Sequence, residues 1–230
     1  MTDAAPQPPA PWTLRGEGWV LPFRLPTSVA REVTHLPDHR ASELRGGVAV
    51  LMLVDYASSP VGPYRELLTF PGMLPFADGR SHPTIDRIVV DSHRSVLGGR
   101  ANWGIPKELG SFSWNRHGAG RGTDQIEVAI DDVTVARFTV RSVGPHAPAL
   151  LSSLPGFART VAQERDGTTF VTKLSGHGRV AAAIARDVWI DQDAFPDLTR
   201  GTALPGFHAK RFTLTFGAPQ RLPQTRSVQP

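Results

Sequence analysis

The stretch Gln125–Arg141, QIEVAIDDVTVARFTVR, decides the fold class. It holds two runs rich in β-branched residues, Gln125–Ile130 and Val133–Arg141, separated by Asp131-Asp132. In the second run Val133, Val135, Arg137 and Thr139 alternate with Thr134, Ala136, Phe138 and Val140. A side-chain period of two is that of a strand, and two such runs across a short polar pair predict an antiparallel hairpin.

The same signal recurs on either side. Gly47–Tyr56 (GVAVLMLVDY) is a long apolar run, and Tyr64–Phe70, Thr84–Val90, Thr168–Leu174, Arg179–Ile190 and Phe207–Phe216 complete the predicted strands. One short helix is predicted after Pro26, with Thr27 or Ser28 as N-cap, Val29, Val33 and Leu36 at i, i+4, i+7, and an end before Pro37. Helical turns are expected at Ala147–Leu154 and Phe195–Thr199, and 22 Gly and 21 Pro punctuate the rest. There is no internal repeat and no alternating strand–helix rhythm of the kind that builds a doubly wound parallel sheet. The expected fold is therefore mainly β: an antiparallel conical barrel or closed sandwich with an internal cavity and a few short helices. Residues 1–11 and 219–230 are Pro-rich and polar and read as flexible ends, leaving 12–218 as one domain.

Composition excludes several chemistries. Cysteine is absent, which removes disulfides, thiolate metal sites and a cysteine nucleophile. No run approaches the roughly 18 apolar residues that span a bilayer, and the N-terminus MTDAAPQPPAPW lacks the pattern of a secretory signal. A cytoplasmic protein with no membrane partner is expected, and a homo-oligomer. The net charge is +4, but the basic residues are scattered rather than clustered, so no nucleic-acid partner is expected. The cations comprise 22 Arg and three Lys: Lys107, Lys173 and Lys210. Lysine is not a general surface filler in this chain.

Standard catalytic motifs are missing: there is no G-x-S-x-G, no H-E-x-x-H and no P-loop. The eight His are dispersed, and neither a metal nor a cofactor is expected. What remains is Val90–Leu109, VDSHRSVLGGRANWGIPKEL. A strand ends at Asp91, Gly98-Gly99 allows a turn and a close backbone approach, and Trp103, Ile105 and Pro106 surround Lys107 with bulky apolar groups. A lysine amine has an unperturbed pKa of about 10.4, and bringing it to about 7 takes about 4.6 kcal/mol. Desolvation is a source of such a shift. On spacing alone an activated Lys107 stands beside a plain alternative, a surface lysine paired with Glu108. Lys173 and the histidines His177 and His208 also admit structural readings.

The Gly99-Arg100…Pro106-Lys107 spacing, with Asp91 nine residues before the Arg, resembles the catalytic segment of the acetoacetate decarboxylase-like family. Ser58–Glu66 (SSPVGPYRE) resembles that family's Gly-x-Tyr-x-Glu segment, and Phe195-Pro196-Asp197-Leu198 with the strand holding His208 is a weaker match. The resemblance spans about Pro11 to Gly217. It implies Lys107 as a Schiff-base-forming residue and Glu66 as its polar partner. Arg100, Tyr64, Trp103, Arg15 and His208 are then the candidates for substrate binding.

Two departures matter. Members that decarboxylate acetoacetate carry a second Lys after the catalytic one, where this chain has Glu108. They also carry an N-terminal Arg for the substrate carboxylate, for which Arg15 is only an approximate substitute. Strand alternation would send Glu108 to the opposite face from Lys107. The resemblance implies a lyase that decarboxylates a β-keto acid. The alternatives are an aldolase or dehydratase acting on an α-keto acid such as pyruvate, and a non-catalytic barrel binding a small apolar ligand. A small keto acid is the expected partner of either enzyme.

Overall fold

The computed structural model describes residues 7–117 and 122–223. Asp131 and Asp132 both take positive φ, 49° and 63°, the backbone of a two-residue hairpin turn whose twist matches its flanking strands. In chain order the first strands are β1 (Trp12–Arg24), β2 (Val48–Ser58), β3 (Tyr64–Phe70), β4 (Met73–Pro75), β5 (Ser81–Pro83), β6 (Arg87–Val90), β7 (Lys107–Leu109) and β8 (Ser111–Arg116). They are followed by β9 (Thr123–Ile130), β10 (Val133–Leu150), β11 (Thr160–Arg165), β12 (Thr168–Ile190), β13 (Thr202–Ala203), β14 (Gly206–Phe216) and β15 (Gln220–Pro223). The α-helices are α1 (Thr27–Val33), α2 (Asp38–Ser42) and α3 (His93–Trp103).

Thirteen strands form one sheet whose main path runs β7-β6-β3-β2-β1-β14-β12-β10-β9-β8. The sheet curls: Leu51 and Leu67, near one end of that path, share a core with Ile126, Val128 and Phe138, near the other. Its first and last strands, β7 and β8, are neighbours in the chain, joined at Gly110. Among the described residues no ladder pairs them, and the chain itself links the two ends of the path.

Over β2, β3 and β6 this sheet is buried on both faces. In β2, β3 and β6 the residues Leu51, Leu53, Leu67 and Val89 belong to the core inside the curl. Their alternates Val54, Tyr56, Tyr64, Leu68, Ile88 and Val90 belong to a second core with Trp12, Leu14, Trp103, Ile105 and Val161. Near-continuous apolar runs such as Ala49–Val54 follow from this double burial.

Three expectations are corrected. Gly98-Gly99 is not a turn but lies inside α3, which starts where the Ser92 side chain accepts the Ser95 N–H at 3.2 Å. This helix makes a parallel crossover from β6 to β7, so one strand–helix–strand unit exists after all. The glycines are there for packing. A Cβ on Gly98 would stand 2.5 Å from the Trp12 ring, and one on Gly99 2.7 Å from Lys107 Cδ. Second, β10 continues to Leu150, because β12 pairs it as far as Leu150↔His177; only Leu151–Ser153 forms a helical turn. Third, parts of both ends are built into the fold. Asn102 donates to the Pro8 carbonyl at 2.9 Å and accepts from the Ala10 N–H at 3.2 Å, and β15 pairs with β12. Residues 1–6 and 224–230, also read as flexible, lie outside the described residues.

Since Trp12 is rigid and fully buried, Gly98→Ala is expected to destabilise the fold by about 1–3 kcal/mol, the usual cost of overpacking. Urea unfolding checks this; an unchanged midpoint would show that α3 does not press on Trp12 as described.

Candidate active site

Strand register delivers the candidate catalytic pair. In β3, Glu66 pairs with Val90 of β6, and in β7 Lys107 pairs with Ile88 of the same strand. Both partners belong to the second core, so Glu66 and Lys107 emerge on one face although 41 positions apart. Lys107 Nζ donates to Glu66 Oε2 at 2.7 Å, to Ser95 Oγ at 3.0 Å and to Tyr64 Oη at 3.4 Å. The Tyr56 hydroxyl donates to Glu66 Oε1 at 3.4 Å. Lys107 is 4% exposed and Glu66 6%, which makes this a fully buried ion pair.

Next to the pair lies a cavity of about 80 Å³. Besides Lys107, Glu66, Tyr64 and Tyr56, its wall is apolar and includes Trp12, Leu14, Met52, Trp103 and Ile105. The Trp103 indole N–H donates to the Gly217 carbonyl at 2.7 Å.

The electrostatics differ from those of an amine activated by burial alone. Burial pulls the Lys107 pKa down, but the Glu66 charge, Tyr64 and the hydrogen bonds to both outweigh it, leaving the amine above its ordinary value. The resting lysine is an ammonium held by a carboxylate. Burial, followed by the charge of Glu66, pushes the Tyr56 hydroxyl well up, so it stays a donor. Tyr64 is also raised by burial, with Lys107 opposing.

The opposite strand face takes the groups sent away from this site. Glu108 pairs in register with Val89 and is ion-paired to Arg87, so it does not contact the Lys107 amine. Of the substrate-binding candidates, Tyr64 and Trp103 line the cavity, whereas Arg15, Arg100 and His208 do not. Arg15 alternates with the inward Trp12 and Leu14 and is exposed. Arg100 follows Gly99 on α3 and is rotated off the face that meets Lys107. His208 pairs with Trp19 on the other face of the sheet, stacked on its ring at a centroid distance of 3.7 Å. Burial first, and then the Lys210 charge, depress its pKa to about 3. Arg65 is bonded to the Phe112 carbonyl at 3.3 Å and lies 3.9 Å from Asp55, a structural placement.

Two contacts of the pair went unread in the sequence. Ser95 carried no signal beyond its place in Val90–Leu109. Tyr56 did: the chain has only two tyrosines, and both stand beside Glu66.

The family model described as acetoacetate decarboxylase matches residues 40–177. No curated protein matches the chain in sequence. Among solved structures, the acetoacetate decarboxylase of Legionella pneumophila superposes with a TM-score of 0.67 at 14% identity, covering 97% of this chain and 94% of its own. The enduracididine biosynthesis enzyme MppR complexed with pyruvate gives 0.66 at 15% identity, covering 96% and 94%. An acetoacetate decarboxylase-like enzyme from Sphingomonas wittichii gives 0.63 at 14% identity, covering 94% and 93%. At these identities the shared property is the fold.

Because the Glu66 charge and hydrogen bond both raise the Lys107 pKa, Glu66→Gln leaves burial as the dominant influence and lowers it. The rate of labelling of Lys107 by cyanate, followed by mass spectrometry against pH, is expected to reach its half-point at lower pH in Glu66→Gln than in the parent. Glu108→Gln is expected to leave the half-point where it was. No movement in Glu66→Gln would show that the carboxylate does not control the amine.

Proposed function

The chain belongs to the acetoacetate decarboxylase family, and from that premise we propose that it is a lyase-type enzyme whose Lys107 forms a Schiff base with a carbonyl substrate. The observation that carries this reading is the 2.7 Å contact between a sealed lysine amine and Glu66 at the wall of an apolar cavity. A buried ion pair is a poor way to stabilise a fold, since hydrophobic replacements are often neutral or better. Its placement beside a cavity is what a reaction needs.

The proton inventory balances within the pair. Transfer of one proton from the Lys107 ammonium to Glu66 gives a neutral amine and a neutral carboxylic acid, which in a low-dielectric site avoids the cost of separated charges. The neutral amine attacks the carbonyl carbon, forming a carbinolamine. Glu66 then returns its proton to the departing hydroxyl, which leaves as water. The product is a protonated imine facing a Glu66 carboxylate, so the buried site stays neutral overall. Ser95 and Tyr64 hold the nitrogen, and Tyr56 holds the far oxygen of Glu66. The protonated imine is an electron sink: it accepts the electron pair released when a bond to the α-carbon breaks. This is consistent with relatives that include acetoacetate decarboxylases and an enzyme whose structure contains pyruvate.

Glu66 gives the proton with which the hydroxyl leaves as water, a role Gln cannot fill even though the Lys107 amine is then easier to deprotonate. Glu66→Gln is thus expected to cost roughly 10²–10⁴ in turnover, the range of general acid–base catalysis. The identity of the amine is tested by borohydride reduction in the presence of small ketones and keto acids, followed by intact-mass and peptide analysis. One adduct is expected, on Lys107; it is expected to vanish in Lys107→Ala and to persist in Lys173→Ala and Lys210→Ala. An adduct that survives Lys107→Ala would overturn the proposal.

A further inference from the structure

The cavity's charge inventory bears on what the imine is made from. Among the described residues its wall carries a single cation, Lys107, and a single anion, Glu66, and every other lining residue is apolar apart from the two tyrosines. The arginines nearest in sequence to the site are committed elsewhere or turned away. Arg87 pairs with Glu108, Arg65 bonds the Phe112 carbonyl, Arg94 beside Ser95 is exposed, Arg100 sits off the lining face of α3, and Arg15 is on the solvent side of β1. Once Lys107 is a protonated imine, Glu66 neutralises it. A substrate carboxylate would then be a second anion beside Glu66 in an apolar cavity, with no further cation among the described lining residues to balance it. Burial of an uncompensated charge is among the least favourable events a protein interior can host.

We infer that the substrate of this site is a small uncharged ketone or aldehyde with an apolar alkyl group, and not a keto acid. The inference rests on the Schiff-base reading above and names its substrate class. It replaces the keto acid expected from the sequence. Size points the same way: the volume of about 80 Å³ is roughly half that of an engineered apolar cavity that accepts benzene, so a short-chain substituent fits.

Without a carboxylate there is no CO₂ to lose, so the bond that breaks at the α-carbon is a C–H bond. Glu66, returned to its carboxylate by the departure of water, accepts that proton. The C–H electron pair becomes the enamine double bond, and the C=N π pair returns to nitrogen. The enamine carbon then takes back a proton, or attacks the carbonyl carbon of a second aldehyde with formation of a C–C bond. In either case the imine is hydrolysed and Lys107 regenerated.

Acetoacetate and 4-methylpentan-2-one form a discriminating pair, because an isopropyl group replaces the carboxylate with nearly the same shape. Borohydride trapping on the intact protein is measured against the concentration of each compound. The ketone is expected to half-saturate the Lys107 adduct at an at least about tenfold lower concentration, a difference of about 1.4 kcal/mol. In D₂O, NMR is expected to show catalysed deuterium exchange at the ketone's α-carbon that is absent in Lys107→Ala. Equal or tighter trapping of acetoacetate, or a ketone adduct with no exchange, would overturn the inference while leaving the Schiff base standing. If neither compound labels Lys107, the Schiff-base reading falls first and takes the inference with it.

Discussion

The contact between Lys107 and Glu66 is the constraint on which the rest of the structure depends. Each ion gives up several kcal/mol of hydration on burial, and only close pairing with additional hydrogen bonds returns it. The pair therefore has to be assembled with little tolerance. Antiparallel β3 sets Glu66, parallel β7 sets Lys107, and β6 between them registers one against the other. A parallel neighbour needs a crossover, supplied by α3, and the helix can pass this close to the lysine stem because residue 99 has no side chain. The same helix turns Ser95 toward the amine. Removing either ion would strand the other in an apolar core, so the pair is more costly to break than to omit.

A second consequence is the sorting of charges by strand face. Period-two alternation on β7 puts Lys107 and Glu108 on opposite sides of the sheet, and each side pairs its own ion, with Glu66 and with Arg87. An anion directly after the lysine thus does not compete for it. On β1 the alternation divides Trp12 and Leu14, which line the cavity, from Arg15, Glu17 and Trp19. His208 follows Trp19 to that far side, where burial keeps it neutral. Among the described residues the cavity is left with one cation, one anion and two tyrosine hydroxyls.

Much of this was legible in the chain, and the parts that were not share a cause. The hairpin at Asp131-Asp132 was readable because turn and alternation are local. Lys107 stood out because lysine is scarce, and Glu66 because SSPVGPYRE and GGRANWGIPKEL each resemble segments of one family. Helix α3 was missed because Gly98-Gly99 carries a strong turn signal. What reverses it is tertiary: Trp12 and the lysine stem occupy the space that side chains would fill. Arg15, Arg100 and His208 could be nominated from sequence but not sorted by face, since β-bulges on β1 interrupt simple counting. The raised pKa was also hidden. Burial was legible from Trp103 and Ile105, but the opposing carboxylate lies 41 positions away, and its distance from the amine decides the sign.

With only three lysines in the chain, ¹³Cε-lysine labelling yields three NMR signals, each followed separately against pH and added carbonyl compound. The Lys107 signal is expected to keep its ammonium position through neutral pH in the free protein, and to move to an imine position when a reactive ketone is added, with Lys173 and Lys210 unmoved. A Lys107 signal that titrates near or below neutrality in the free protein, or that ignores every carbonyl while another lysine responds, would contradict this expectation.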